Sequence, residues 1–428
     1  MNVIYSTLRN MWIISKIRND NSSKMLLANF TYLSIIEIIG LLLPLITFPY
    51  LIRTIGAQKY GIIVFAQTIV AYLVMIVNFG FNVSATRRIS ENRHNINKIN
   101  EIYSSVIFQK LLIFIIALVV TIIILYLFDY KYSFIIIGLI GLCIQEVLFP
   151  IWLYQGMEKM RFITIITSIS KCSFLVLIFV FIRCEDDYVY IPLLYSFGGI
   201  LTSLISYILL YRKLKVKFIK VTSKRIIADF KESLPFFASR LASVVMERTN
   251  VIAIGTFFSY EMVAIYDLCA KVVSVLKTPY SLIAQVIYPN VSKSKDLGVV
   301  RRTIKPMIFS AIVISVIICL VAHPIVLLLG GRNLNQAAAI LQLMVWYVPI
   351  VGVSFLFGAS VLVVKGHSKE YNLSVIYSVI LYLLLMAILV LLSKVNLYTM
   401  VLTFVVPELF LAIYRIIITK KYNLLKTD

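Results

Sequence analysis

Charge is scarce in this sequence, and acidic charge is scarcest. Charged residues are only 14% of 428, and 19 Asp+Glu stand against 41 Lys+Arg for a formal net charge of +22. Hydrophobic residues make up 61%. So few charges cannot cover a water-soluble fold of this size, which excludes a soluble protein. Histidine is rarer still: His94, His323 and His367 are scattered through loops and the ends of apolar runs. There is no HExxH, no Walker A loop and no nucleophile elbow. Five cysteines, at 143, 172, 184, 269 and 319, form no CxxC pair, and all but Cys184 lie in apolar runs. They read as small hydrophobes, with neither a metal site nor a disulfide framework. No long outer loop exists to carry a catalytic site, and no stretch has room for an ATPase domain. The sequence therefore reads as a non-enzyme without cofactor or metal. Any work it does draws on an ion gradient, the membrane potential or the gradient of its cargo.

What fills the chain is apolar runs long enough to cross a bilayer, each needing roughly 20 residues at 1.5 Å per residue. Twelve are expected, near 25–52, 60–82, 103–127, 132–154, 161–182, 188–211, 233–257, 260–289, 305–328, 335–363, 371–392 and 396–418. Helices are the expected form, because hydrocarbon offers no partner for open backbone groups. The runs do not alternate and are too long for barrel strands. MNVIYSTLRNMWIISKIRNDNSSK, interrupted by Arg9, Lys16 and Arg18, is not a cleavable signal.

Most of the 41 Lys+Arg fall in alternate loops. The opposite side has only Arg53, Lys59, Lys131, Arg183, Arg332 and Lys394. This bias predicts both termini in the cytoplasm and an even number of spans. The basic excess then faces anionic membrane lipids, and nucleic acid is not expected as a partner. The fold expected is all-α: a polytopic membrane protein of 12 transmembrane helices in two six-helix lobes around a central cavity. Its divisions are an interfacial segment (1–24), a first lobe (25–211), a basic linker (212–232), a second lobe (233–418) and a tail (419–428). A weak internal echo supports two halves. IGAQKYGIIVFAQ, with Gly56, Tyr60 and Phe65, faces IGTFFSYEMVAIYDL, with Gly255, Tyr260 and Tyr266. Six-plus-six repeats suggest a transporter with its site between them.

Charges inside apolar runs carry the functional signal, since each costs at least ~2.5–3.5 kcal/mol at the bilayer centre. Arg240 and Arg248 are eight apart in SLPFFASRLASVVMERTNVIAIGTFF and share one helix face, with Glu247 beside them and Asn250 adding polarity. Asp267 and Lys271 form an i,i+4 pair in the next run, followed by Lys277. These residues read either as an ion-pair network between helices or as the cationic wall of a cavity for an anionic headgroup. Glu37, mid-run in FTYLSIIEIIGLLLP, invites Lys171 as a partner or acts as a proton-linked carboxylate. Asn29, Asn78 and Gln109 extend that interior. Lys110 and Arg415, near run ends, are expected to snorkel. Pro44, Pro49, Pro235, Pro279, Pro289, Pro349 and Pro407 predict bent helices.

LLLPLITFPYLIRTIGAQKYGIIVFAQTI (41–69) resembles the opening signature of the O-antigen flippases of bacterial polysaccharide export, at Pro49, Tyr50, Leu51, Arg53, Gly56, Tyr60 and Gly61. The region of Asn78, Gly80 and Arg87 is similar to that family's second span. Trp152 to Met160, with Gln155, Gly156 and Glu158, resembles its turn after the fourth, and Tyr288-Pro289 with Ser292-Lys293 its end of the eighth. The resemblance implies a multi-pass bacterial inner-membrane protein of the multidrug/oligosaccharidyl-lipid/polysaccharide exporter class. It implies a flippase that moves an undecaprenyl-pyrophosphate-linked oligosaccharide to the periplasmic leaflet by alternating access, with cation coupling as an option. O-antigen polymerase and a chain-length regulator are then partners. Cavity candidates are Arg240, Arg248, Lys271, Lys171, Asp267 and Asn250, with Glu37 and Glu247 for coupling or internal pairing. The rival readings are a teichoic-acid or peptidoglycan-precursor flippase, a drug/cation antiporter, a membrane glycosyltransferase or polymerase, and a structural scaffold.

Overall fold

A computed structural model describes residues 21–331 and 334–425; the side chains of 21–30, 33, 289–290 and 293 are also outside the description. The expected interfacial segment therefore lies outside the described residues up to position 20, as do Arg332, the last three residues of the tail, and the side chains of Asn29, Pro289 and Lys293.

Among the described residues the protein is all-α. Its helices are α1 (Asn21–Asn78), α2 (Phe81–Glu91), α3 (Ile96–Leu127), α4 (Ser133–Gly138), α5 (Gly141–Leu148), α6 (Ile151–Gly156), α7 (Met160–Phe181) and α8 (Ile191–Arg212). They continue as α9 (Ser223–Phe257), α10 (Tyr260–Ser294), α11 (Gly298–Leu320), α12 (Ala322–Gly330), α13 (Ala337–Met344), α14 (Tyr347–Phe355), α15 (Ser368–Leu391) and α16 (Leu397–Lys421). A 3-10 turn, Glu185–Tyr190, precedes α8, and a π-helical stretch, Leu356–Val363, continues α14. Helix covers each expected run. Nine segments are long and apolar enough to cross a membrane, among the described residues. α9 and α10 are not among those nine, although each has 35 residues and is about 52 Å long at 1.5 Å per residue. They carry the charges singled out above.

Local chemistry sets the breaks. α1 runs through the first two expected spans and turns at Gly56, where φ 77 and ψ 162 suit a residue without Cβ. Gly80, at φ 77, separates α1 from α2 in the same way. The fourth expected span is broken into α4, α5 and α6. Its freed backbone is satisfied from α8, because Ser196 Oγ donates to the Gly138 carbonyl (2.5 Å) and accepts from the Gly141 amide (3.0 Å). This is how membrane interiors tolerate an interrupted helix. Asn95 caps α3, Ser259 caps α10 and Asn396 caps α16, each through its side chain.

The connection between the halves differs from the expected linker at 212–232. Helix α9 already starts at Ser223, and the short stretch before it is pinned to α3: Lys217 donates its amide to Asn100 Oδ1 (2.9 Å) and Ile219 to Ser104 Oγ (2.8 Å). The first turns of α9 lie against α2 and α3. Arg88 pairs with buried Asp229, Ser105 donates to Asp229 (2.7 Å), and Ser84 and Ser233 share a hydrogen bond (2.6 Å). The rings of Phe230 and Phe237 stack on Phe79.

Candidate functional site

The halves meet along α1, α9 and α10. At the end of the bundle near Gly56, small residues permit close approach. A Cβ on Gly61 would overlap the Tyr260 carbonyl oxygen, and one on Gly255 would overlap the Phe65 ring. The two echoing stretches thus lie face to face. Tyr260 also packs its ring on Phe65 and shares a hydrogen bond with Tyr130 (3.1 Å). Arg53 donates to the Leu328 carbonyl (2.8 Å), tying α1 to α12, and Lys59 pairs with Asp186 (2.9 Å). Just inward, Tyr60 donates to Asp267 (2.8 Å) and accepts from Lys271 (2.9 Å), while Lys271 pairs directly with Asp267. The carboxylate expected to neutralise Lys271 does so, and the signature tyrosine completes the triad.

Below this seam lies a branched cavity lined by residues from both halves of the sequence. One part, about 670 Å³, is lined by Thr47, Tyr60, Arg248, Asp267, Lys271 and Lys277 among others. A second, about 630 Å³, is lined by Asn78, Asn82, Glu146, Arg240 and Phe236. Gln67, Ala71, Leu142, Glu247 and Arg248 border both. Arg240 and Arg248 lie on one α9 face, about 12 Å apart along the axis. Both are exposed to the cavity, and neither has an ion pair or hydrogen bond with a described residue. Lys277 rests over the Tyr347 ring (5.7 Å) and makes no direct ion pair with a described residue, and the Glu408 carboxylate is near enough to feel its charge. Of the acids lining these spaces, Glu146 and Asp267 are paired with Lys110 and Lys271, and Glu247 is exposed and unbonded among the described residues. A third, smaller branch holds Lys171. The arrangement suits a ligand carrying several negative charges, because unpaired cations in a wet groove spare such a ligand its desolvation cost.

Other candidates fall elsewhere. Asn250 does not line the cavity. It is fully buried among α9, α10, α15 and α16, where it donates to Tyr266 Oη (3.1 Å) and the Met400 carbonyl (2.9 Å) and accepts from Tyr382 (2.8 Å) and Thr403 (3.2 Å). The face it presents is set by those partners, which its polarity alone could not reveal. Glu37 is exposed and makes no bond to Lys171. Lys110 and Arg415 do not snorkel. Lys110 is 0% exposed and donates to Glu146 Oε1 (2.7 Å), the Glu146 carbonyl (3.2 Å) and Asn82 (3.1 Å). Arg415 is 5% exposed, donates to the Ser354 carbonyl (2.7 Å) and Ser374 (3.1 Å), and stacks on Tyr371. Position near a run's end failed as a guide because partners on neighbouring helices drew both side chains inward.

Other signature positions make packing contacts and hydrogen bonds between helices. Pro49 lies inside α1 beside Tyr50, whose hydroxyl donates to the Ile182 carbonyl (2.5 Å). Gly156 lets α6 pack on Ile89, and Gln155 precedes it. Glu158, at φ 57, pairs with Arg93 (2.9 Å), and Arg93 also donates to the Gly156 carbonyl. Among the lining residues that sequence reasoning did not assign to the cavity are Gln67, Gln145, Asn82 and Glu146, whereas Lys277 was read as part of either an ion-pair network or a cationic wall. Of those four, Glu146 alone gave a signal, as a charge within an apolar run. No group of three or more His, Cys, Asp or Glu that could hold a metal occurs among the described residues.

Comparison with known proteins agrees with this architecture. A protein of Escherichia coli (strain K12) named "Putative O-antigen transporter" is 26% identical over 374 residues, 85% of this chain and 90% of that protein. Its namesake in Shigella dysenteriae is 28% identical over 82% of this chain and 88% of its own. Among solved structures, the lipid II flippase MurJ in an inward closed conformation superposes with TM-score 0.75 at 15% identity, covering 90% of this chain and 87% of that one. An inward-facing multidrug resistance MATE family transporter of the MOP superfamily gives 0.72 at 14%, covering 92% and 98%. At such identities these two show the fold alone. The model of one family, described as polysaccharide biosynthesis protein, matches residues 26–295, more than half of the sequence. The chain thus has the helical architecture of a multi-pass membrane protein and belongs to the polysaccharide biosynthesis protein family.

Proposed function

We propose that this protein is a flippase carrying undecaprenyl-pyrophosphate-linked O-antigen repeat units from the cytoplasmic to the periplasmic leaflet by alternating access. In this reading twelve spans form two six-helix lobes, both termini are cytoplasmic, and the Tyr60–Asp267–Lys271 seam closes the periplasmic end. The observation that carries the proposal is the pair Arg240 and Arg248, facing the cavity with no carboxylate bound to either. A diphosphate brings about two negative charges that this face can neutralise, and Lys277 on α10 adds a third cation. Sugars hydrogen-bond to Asn78, Gln67 and Gln145 along the same walls. The polyprenyl chain stays in hydrocarbon, so only the head must be taken across about 30 Å. O-antigen as cargo is favoured by the names of the relatives.

The test is translocation of lipid-linked oligosaccharide in vesicles carrying the wild type, Arg240→Ala, Arg248→Ala or the double variant, matched for membrane abundance. Transport is expected to fall at least about tenfold in the double variant, the loss of two charge-assisted contacts. Unchanged transport in all three would reject the cavity role.

A further inference from the structure

The third branch of the cavity lies wholly within the first half, between α1, α5, α7 and α8. It holds about 250 Å³, room for about eight waters at ~30 Å³ each, the scale of one sugar ring. It opens into the larger spaces, sharing Gly40 and Pro44 with one and Gln145 with the other. Lys171 is its sole charged lining residue among those described. The ammonium lies against α1, where Gly40 leaves it space: a Cβ there would sit 3.0 Å from Nζ. No described carboxylate pairs with it, in contrast to Lys110 and Lys271, each of which has one.

The rest of the lining has the chemistry of a carbohydrate site. Phe174 and Tyr195 form an aromatic wall with ring centroids 4.1 Å apart. Ser170 and Thr202 donate to the Gly198 carbonyl (2.6 and 2.8 Å), and Thr167 donates to the Ile163 carbonyl (2.7 Å). Each hydroxyl has thereby spent its proton, leaving its oxygen as an acceptor for a sugar hydroxyl. The Gln145 side chain makes no hydrogen bond with a described residue. Such a pocket would bind a neutral sugar without a lysine. A half-buried ammonium with no counter-charge is costly to keep in a membrane protein, and an anionic ligand group offsets that cost. The diphosphate does not require it, since Arg240, Arg248 and Lys277 already match its charge.

Resting on the flippase reading, we infer that this branch is a sugar subsite selecting a repeat unit that carries an anionic substituent, a carboxylate or a phosphate ester, which pairs with Lys171. The experiment uses the full-length protein in nanodiscs of phosphatidylcholine, which offer no anionic headgroup. The probes are short-chain polyprenyl diphosphates that are bare or carry glucose, glucuronic acid or glucose 6-phosphate. Wild type is expected to bind at least one acidic-sugar probe roughly tenfold more tightly than the glucose probe. Lys171→Gln should bring that ratio to about one and Lys171→Arg should keep it, both with unchanged thermal unfolding. A ratio near one in wild type, or a ratio retained in Lys171→Gln, would overturn the inference. So would an equal loss for all probes in Lys171→Gln, which would assign Lys171 to the diphosphate. Added phosphatidylglycerol that competes in wild type but not in Lys171→Gln would assign the branch to a lipid head instead. Failure of wild type to bind even the bare diphosphate would defeat the flippase reading itself.

Discussion

Lys110 and Arg248 are both basic residues in apolar helices, and they have opposite surroundings. Lys110 has no exposure and three acceptors within 3.2 Å, one of them the Glu146 carboxylate. Arg248 faces a cavity and has no bonded partner among the described residues. Both insertions are costly, but the cost is met differently. For Lys110 it is met inside the fold, by Glu146 and by Asn78 and Asn82, which both donate to that carboxylate. For Arg248 it is met by water or cargo. A charge in a membrane helix therefore marks function when its partner is missing, and architecture when its partner is present.

This contrast orders the effects on stability, read as thermal unfolding in nanodiscs. Lys110→Met should be the most damaging, at roughly 3–5 kcal/mol, because it leaves Glu146 partly buried beside two amides without its cation. A double variant with Glu146→Gln should recover part of that loss; no recovery would mean that the pair is not coupled. Asn250→Ala comes next, at about 1–3 kcal/mol, since the hydroxyls of Tyr266, Tyr382 and Thr403 lose their shared partner. Asp267→Asn should cost less, about 1 kcal/mol, because the pair is partly exposed and Tyr60 remains bonded. Arg248→Ala should change stability by no more than about 0.5 kcal/mol. Transport follows the reverse order for these last three: Arg248→Ala loses most and Asn250→Ala least per folded molecule. A strongly destabilised Arg248→Ala would erase the distinction between the two kinds of charge.

Much of this was legible in the sequence, for a physical reason. Hydrocarbon forces the backbone to satisfy itself, so run length and hydropathy mark helices, and Gly56 marks the turn between the first two runs. The charges of α9 and α10 were conspicuous against that background. What the chain could not reveal was lateral direction. Asn250 and Arg248 are two residues apart, yet one faces four polar partners and the other a cavity. Lys110 was read as snorkelling because distance along a run says nothing of Glu146 on α5, and Glu37 was given a partner that the structure does not supply. Tyr60 entered through the signature, but its bond to Asp267 spans more than two hundred positions, beyond the reach of local pattern.

The passage from one half of the chain to the other has a mechanical meaning. The start of α9 is fastened to α2 and α3 by Arg88, Ser84 and Ser105, whereas its far end, at Asn250, is fastened into α10, α15 and α16. The two anchors belong to one continuous rod with no slack tether between them. If the halves swing, the rod must flex, and Pro235 is where it is weakest, since its ring removes the bond to the Lys231 carbonyl. The arginines lie just past that weak point, so a swing would carry the bound head along with the bending helix.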